Sequence, residues 1–407
     1  MQIPYIKDIN LQHKRVFLRA DLNVPLENGK ILQDFKLQKT LPTIKYIQKN
    51  GGKVILATHL GRPKAQSQTN FYDEKFSTKN LISWFESREY QIKLERDLEH
   101  AKILSHENFS EILLLENLRF FNGEKGSFSE KERFADILSK LADIYVNDAF
   151  GLIHRDDCSV DLLAQKFNPG KKSFGLLVEQ EIKNLNKLKQ NVDQPFILIV
   201  GGDKIKDKTK LLENFLTIDE KNRPKKILIG GAIAHTFLKA QGFQMGKSLI
   251  NDDFLDFTKD FLQKAKLQKI DILLPKDFLV VKQMDQQTTE HREKDSIQKD
   301  DICVDIGKST IKEFEEEIAK AKTIFTNGSM GIYTKPEFAT GSKKILISIA
   351  NSNLYSVAGG GDCVGAIYLF GLQDKFQFLS TGGGATLTFL SIQNPFEKLA
   401  TFQAMIH

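Results

Sequence analysis

The run Phe196-Ile-Leu-Ile-Val-Gly-Gly-Asp-Lys-Ile-Lys-Asp-Lys208 constrains this chain more than any other stretch. Five apolar residues stop at two glycines, which reads as a buried parallel strand ending in a tight turn. A helix starting just after that turn would carry Lys204 and Lys208 on one face, four residues apart. Two ammonium groups would then flank a glycine-opened backbone at a helix N-terminus, an arrangement that suits phosphate. The spacing is not that of the Walker loop, in which one Lys-Ser/Thr follows a longer glycine turn. A lone pair of lysines at this spacing is more often a solvated face. Here two further glycine clusters end apolar runs, Tyr355-Ser-Val-Ala-Gly-Gly-Gly-Asp362 and Phe376-Gln-Phe-Leu-Ser-Thr-Gly-Gly-Gly-Ala385. Glycine lets backbone N–H groups converge on an anion. Asp362 offers the hard oxygen that Mg2+ prefers, with the N-cap of the next helix as its plain structural role.

The N-terminal half carries a different pattern. Strand-like Arg15-Val-Phe-Leu-Arg19 runs into Asp21 and Asn23, and Lys53-Val-Ile-Leu-Ala57 into His59 and Arg62. Glu111-Ile-Leu-Leu-Leu115 leads to Arg119, and Asp143-Ile-Tyr-Val146 to His154 and Arg155. Ligands of open α/β sheets sit at the carboxyl ends of strands, and guanidinium forks match phosphate and carboxylate oxygens. Any one of these arginines is an ordinary surface residue; their recurrence at successive strand ends favours a small anionic ligand.

Strand candidates in the second half are Phe196–Val200, Lys226–Ile229, Asp271–Leu274, Thr323–Thr326 and Leu354–Ala358, with helical stretches between most of them. That alternation predicts parallel sheets with right-handed crossovers. Asn168-Pro-Gly-Lys-Lys172 breaks the first half off, and Val178, Ile182, Leu185 and Leu188 then recur at helical spacing, as in a helix joining two halves. The polar stretch Gln283–Asp301 reads as an exposed loop or hairpin. A chain of 407 residues suits two domains. The net charge of +6 is not gathered into tails, which argues against nucleic acid and is compatible with anionic metabolites. Cys158, Cys303 and Cys363 form no metal or disulfide pattern, as expected in a reducing compartment. The first residues lack a signal-peptide layout and no apolar run is long enough to span a bilayer, so a cytoplasmic protein is expected.

These residues together resemble phosphoglycerate kinase. The resemblance rests on Asp21-Leu-Asn-Val-Pro25, His59-Leu-Gly-Arg-Pro63, Leu115-Glu-Asn-Leu-Arg-Phe120, Val146-Asn-Asp-Ala-Phe-Gly151 and His154-Arg155 in the first half. In the second it rests on Gly201-Gly-Asp-Lys-Ile-Lys-Asp-Lys208, Thr236–Gly242, Asn327-Gly-Ser-Met-Gly331, Gly359-Gly-Gly-Asp362 and Ser380–Ala385. It implies two doubly wound, Rossmann-like α/β domains that close about a joining helix. The expected layout is a 3-phosphoglycerate-binding domain over 1–172, a linker helix over 173–192, a nucleotide-binding domain over 193–392 and a tail over 393–407 returning to the first domain. The implied reaction is reversible phosphoryl transfer between 1,3-bisphosphoglycerate with ADP and 3-phosphoglycerate with ATP and Mg2+, in a monomer without membrane or nucleic-acid partners.

By the same resemblance Asp21, Asn23, Lys36, His59, Arg62, Arg119, His154 and Arg155 hold the glycerate. Lys204, Lys36 and Arg155 face the transferring group, Lys208 meets the nucleotide phosphates and Asp362 holds Mg2+. The nucleotide site would also use Gly201, Gly202, Gly230, Gly231, Val304, Asn327, Gly359, Gly360, Gly361, Cys363, Gly382, Gly383 and Gly384. Several positions depart from the family pattern. Lys36 stands for an arginine and keeps charge without the planar fork. Asp203 and Cys303 stand for small residues beside the nucleotide, Ser329 for a proline and Cys363 for a hydroxyl residue. Thr334 stands for a ribose-binding glutamate, which leaves Glu337 as the candidate for the ribose. A homologue weakened in catalysis and serving as a ligand-binding or regulatory protein is the alternative. A nicotinamide-dependent dehydrogenase is disfavoured, because no G-x-G-x-x-G follows a first strand with an acidic residue beyond it.

Overall fold

The computed structural model describes residues 3–63, 72–107 and 111–406. The chain divides into two compact units: one runs through Ile182 and adds the segment from Asn394 onward, and the other spans Lys183–Gln393.

The first unit is built on a six-stranded parallel sheet. Its spatial order is Ile92–Glu95, Ile112–Leu115, Lys53–Ala57, Arg15–Ala20, Ile144–Asp148, Lys172–Phe174. Strands buried on both faces need continuous apolar sequence. Ile112–Leu115 is buried at all four positions, and Arg15–Ala20 from its second residue on. One face contributes Val16, Leu18, Val54, Leu56, Leu114 and Val146 to a common core. The chain passes from Arg15–Ala20 to Lys53–Ala57 on one side and returns to Ile144–Asp148 on the other. The strand order therefore reverses beside Ala20, and a crevice opens at the carboxyl ends. The C-terminal helix Ala400–Ile406 belongs to this unit, with Phe402 against Phe174 at 5.2 Å between ring centroids.

The second unit repeats the plan. Its parallel sheet runs Asp271–Leu273, Lys226–Ile229, Phe196–Val200, Thr323–Asn327, Tyr355–Gly359, Phe378–Leu379. Order reverses between Phe196–Val200 and Thr323–Asn327, where the glycine turn after Val200 leaves the sheet. A separate antiparallel sheet places Asp277–Val281 between Glu290–Glu293 and Ile302–Ile306. The polar stretch Gln283–Asp301 thus contains a hairpin strand. The other two strands of that sheet, Asp277–Val281 and Ile302–Ile306, and in the first unit Ile92–Glu95 and Lys172–Phe174, are strands the sequence reading lacks.

The helix expected between the halves occupies Leu176–Lys187, with Val178, Ile182 and Leu185 buried and Leu188 just past its end. The boundary between units falls within it. Among the described residues, no helix is long and apolar enough to cross a membrane.

Candidate active site

In the first unit the strand ends converge on one charged cluster. Asp21, 4 % exposed, follows the strand Arg15–Ala20 and pairs with Lys36, on the first turn of the helix Phe35–Lys49, at 2.6 Å. Burial alone would raise the Asp21 carboxyl. Lys36, by charge and hydrogen bond, and then the charge of Arg19 overcome it and hold the group at about 2. His59 is buried, and desolvation together with the cations Arg19, Arg119 and Lys36 drives its pKa well below the ordinary value despite Asp21. Its Nδ1 lies 3.4 Å from an Nη of Arg19, which can only donate. The ring is therefore neutral, with its proton on Nε2.

Asn23 accepts the Gly61 N–H at 2.8 Å and so ties the first loop to the one that carries Arg62, which is exposed. Asn117 locks the next loop: its amide donates to the carbonyls of Leu60 and Phe76, and its oxygen accepts from the N–H groups of Leu60 and Arg119. Arg119 donates to the Gly61 carbonyl at 2.6 Å and lies 3.7 Å from Asp157. Its Nε and second Nη are buried without hydrogen-bond partners. Two orphan guanidinium donors at a strand end are what an incoming oxyanion would satisfy. Arg155 lies close enough to Arg119 to depress its pKa further, after burial. His154 is exposed beside it.

Beneath this cluster lies a layer the sequence reading did not identify. Arg19, fully buried on its strand, donates from Nε to Ser159 Oγ at 2.6 Å and lies 3.6 Å from Glu124. Glu124 also accepts from Ser159 Oγ at 2.7 Å. A cation inside an apolar strand was the available signal.

In the second unit a cavity of about 500 Å3 opens at the sheet's switch point. Gly202, Asp203 and Asp362 line its polar end; Leu249, Phe278 and Val304 are among the apolar residues lining it. The backbone is stitched where the two strands part: Gly201 N–H donates to Asn327 O and Gly202 N–H to Ser329 O, both at 2.8 Å. That approach requires glycine at 328, where φ is +89° and a Cβ would run into the Gly201 carbonyl. Gly360, at φ +92°, is fixed the same way against the Asn327 amide, which donates to Gly359 O at 2.7 Å. Lys208 is buried beside Gly202; desolvation lowers its pKa, opposed by Asp207, Asp203 and Asp362. Lys204 is exposed on the turn that precedes it.

Asp362 sits exposed in the first turn of the helix Gly361–Leu369, with no hydrogen bond or ion pair to other described residues. An uncommitted carboxylate facing a polar cavity end fits a hard cation that keeps most of its ligands from water and phosphate. Gly231, Val304 and Asp362 share this cavity, whereas Gly361, Gly382, Gly383, Gly384 and Lys204 are outside its lining. Gly230 and Gly231 open the helix that ends at Ala240.

The comparisons with known proteins decide the family. The profile described as "Phosphoglycerate kinase" matches residues 6–393. The chain belongs to the phosphoglycerate kinase family. A phosphoglycerate kinase of Dictyoglomus turgidum is 42 % identical over 387 residues, 95 % of this chain and 94 % of that protein. One of Finegoldia magna is 40 % identical over 95 % of each chain. The solved phosphoglycerate kinase of Coxiella burnetii superposes with a TM-score of 0.83 at 30 % identity, covering 100 % of this chain and 98 % of that one. That of Pyrococcus horikoshii gives 0.82 at 31 %, over 99 % and 98 %. As a phosphoglycerate kinase homologue the chain is a phosphotransferase.

The positions that depart from the family pattern fall unevenly. Cys303 lines the cavity, and burial pushes its thiol up to about 12. Cys363 sits behind the wall, its Sγ 3.7 Å from the Thr326 carbonyl, and burial pushes it up to about 11. Ser329 and Thr334 line the cavity, but Glu337, the candidate for the ribose, is not among the lining residues. His235 and Asp305 are among the lining residues that escaped the sequence reading. His235 is held by burial at about 4, and its Nδ1 donates to Leu249 O at 3.1 Å. Asp305 is raised to about 7 by burial, against hydrogen bonds from the Gly341 and Ile306 N–H groups.

Proposed function

We propose that this chain catalyses reversible phosphoryl transfer between the carboxylate of 3-phosphoglycerate and the terminal phosphate of ATP. The observation that carries the residue assignment is the buried Nε and Nη of Arg119, which lack hydrogen-bond partners, in the cluster with Asp21, Lys36 and the neutral His59. Such a cluster supplies fixed donors to a small anion that carries a phosphate and a carboxylate. Arg62, Arg119, His154 and Arg155 take phosphate and carboxylate oxygens, while Asp21 and Asn23 take hydroxyl groups and orient the cations around them.

The acceptor carboxylate is already ionised at neutral pH, so no general base is required. Rate comes from positioning and from charge neutralisation on the transferring oxygens. Lys204, Lys36 and Arg155 supply that positive charge, and Lys208 with the N–H groups of the glycine turns holds the nucleotide phosphates. Asp362 would hold Mg2+, which when bound neutralises phosphate charge. The glycerate cluster and the nucleotide cavity belong to different units, so turnover requires the units to bring their ligands together. We read the protein as a cytoplasmic monomer of glycolysis, in keeping with three buried, unpaired thiols.

The test is a coupled assay of ADP formation from ATP and 3-phosphoglycerate with Mg2+. Turnover that depends on all three supports the reading. Binding of both ligands without turnover would favour a ligand-binding role instead.

A further inference from the structure

A second cavity, of about 590 Å3, lies in the first unit away from the charged cluster. At its base is Lys172, the first residue of the edge strand Lys172–Phe174 and only 3 % exposed. Lys172 stands beside Tyr145, which in turn pairs with Phe17, three residues back from the Ala20–Asp148 pair where the charged cluster begins. Its ammonium has no hydrogen bond or ion pair to any described residue, and burial depresses its pKa with no carboxylate opposing. Its stem is buried while its tip reaches the cavity and meets no protein partner there, so an anion in the cavity would find an uncommitted cation.

The surroundings define that anion. Strand residues two apart share a face, so Lys172 lies on the side of Phe174 that the C-terminal helix covers. Ala400, Gln403 and Ala404 share one stripe of that helix and line the cavity. Phe167 and Pro169 complete its apolar wall, and Asn168 and Gln403 bring amides to it. Asp161, engaged by the Gln165 amide at 3.0 Å, also lines it and forms no ion pair with Lys172. One ammonium at the base, one carboxylate elsewhere in the lining and an apolar wall select a ligand with a single negative charge and an apolar body.

We propose that this cavity binds a small organic carboxylate, its oxygens on Lys172 and its apolar body against Phe167, Pro169 and the alanines of the C-terminal helix. This goes beyond the phosphoryl-transfer site and uses none of its residues.

The test is calorimetric titration of the full chain with benzoate in saturating 3-phosphoglycerate, which blocks the arginine cluster as an alternative carboxylate site. Benzoate binds at millimolar concentration, and the neutral analogue benzamide binds at least tenfold more weakly. Lys172→Met, which keeps the stem and deletes the charge, weakens benzoate about tenfold or more and leaves the affinity for 3-phosphoglycerate unchanged. Ala400→Trp, at an exposed position on the rim, blocks the cavity without touching the charge and also abolishes binding. Absence of benzoate binding to the native chain, or binding indifferent to both substitutions, overturns the proposal.

Discussion

Replacing Lys36 with methionine isolates the ion pair that organises the first unit's charged cluster. Asp21 is almost wholly buried and its carboxyl is held at about 2 instead of 3.8. At 1.36 kcal/mol for each tenfold change in proton affinity, that depression is worth about 2.5 kcal/mol. Lys36 makes the largest attractive contribution, ahead of Arg19. Without it, burial dominates and the carboxyl rises above its ordinary value. Breaking a fully buried pair costs roughly 3–5 kcal/mol; the Lys36 side chain keeps 27 % exposure, so about 2–3 kcal/mol is expected here. Trp84, the sole tryptophan, lies in the same unit and donates to Asp34, two residues before Lys36. Its fluorescence therefore reports this unit's urea unfolding, and the midpoint should fall by about 1 M at a slope of roughly 2–3 kcal/mol per M. The sign with pH follows from a depressed carboxyl. Its contribution is complete above the unfolded value near 4 and is lost as pH falls through 2. The gap between native and variant should be full at pH 7 and close progressively below pH 4. Equal midpoints at pH 7, or a gap as large at pH 2 as at pH 7, would refute the pairing.

Four further outcomes are expected. In steady-state turnover at saturating ATP and 3-phosphoglycerate, Lys36→Ala should be strongly impaired while Lys36→Arg keeps or exceeds the native rate, since arginine restores the planar fork. Lys204→Ala, at an exposed position, should lower turnover by about 10²–10³ with an unchanged circular dichroism spectrum; native turnover would dismiss its catalytic role. Arg62→Ala should raise the KM for 3-phosphoglycerate and leave ADP binding by calorimetry intact; a selective loss of ADP binding would reverse the assignment of ligands to units. Asp148, raised by burial to about 6, accepts from the N–H groups of Leu177 and Val178 at the start of the helix Leu176–Lys187. A raised carboxyl stabilises below its unfolded value near 4 and loses that contribution as pH rises through 6. Asp148→Asn should therefore flatten the Trp84-detected stability profile between pH 4 and 6.

The parts of the fold legible in the sequence are those governed by local pattern. The apolar run stopping at Gly201 gave the central strand of the second sheet at Phe196–Val200, and Lys53–Ala57 and Lys226–Ile229 emerge with the expected bounds. Ile92–Glu95 was hidden because its residues alternate with charge at a sheet edge, where one face stays half exposed. Lys172–Phe174 was hidden by a lysine in its first position and by its short length. The antiparallel sheet around Asp277–Val281 was missed for another reason. Its outer strand Glu290–Glu293 is exposed and wholly charged or polar, so apolar periodicity has nothing to register.

The site divides along the same physical line. Residues that end strands, such as Asp21, His59 and Arg119, announce themselves because a polar side chain interrupts an apolar run at the place where open sheets bind ligands. Arg19 interrupts its strand too, but from inside, and only the three-dimensional surroundings show what that means. Ser159 and Glu124, 140 and 105 residues away in sequence, close around its guanidinium, which in turn leaves His59 Nδ1 nothing to do but accept. A strand-internal charge carries no sequence spacing to its partners, because the partners come from other crossovers of the sheet. The protonation state of His59 is thus fixed by contacts between segments that sequence pattern treats as unrelated. It is this long-range layer that converts a row of strand-end cations into donors of defined direction.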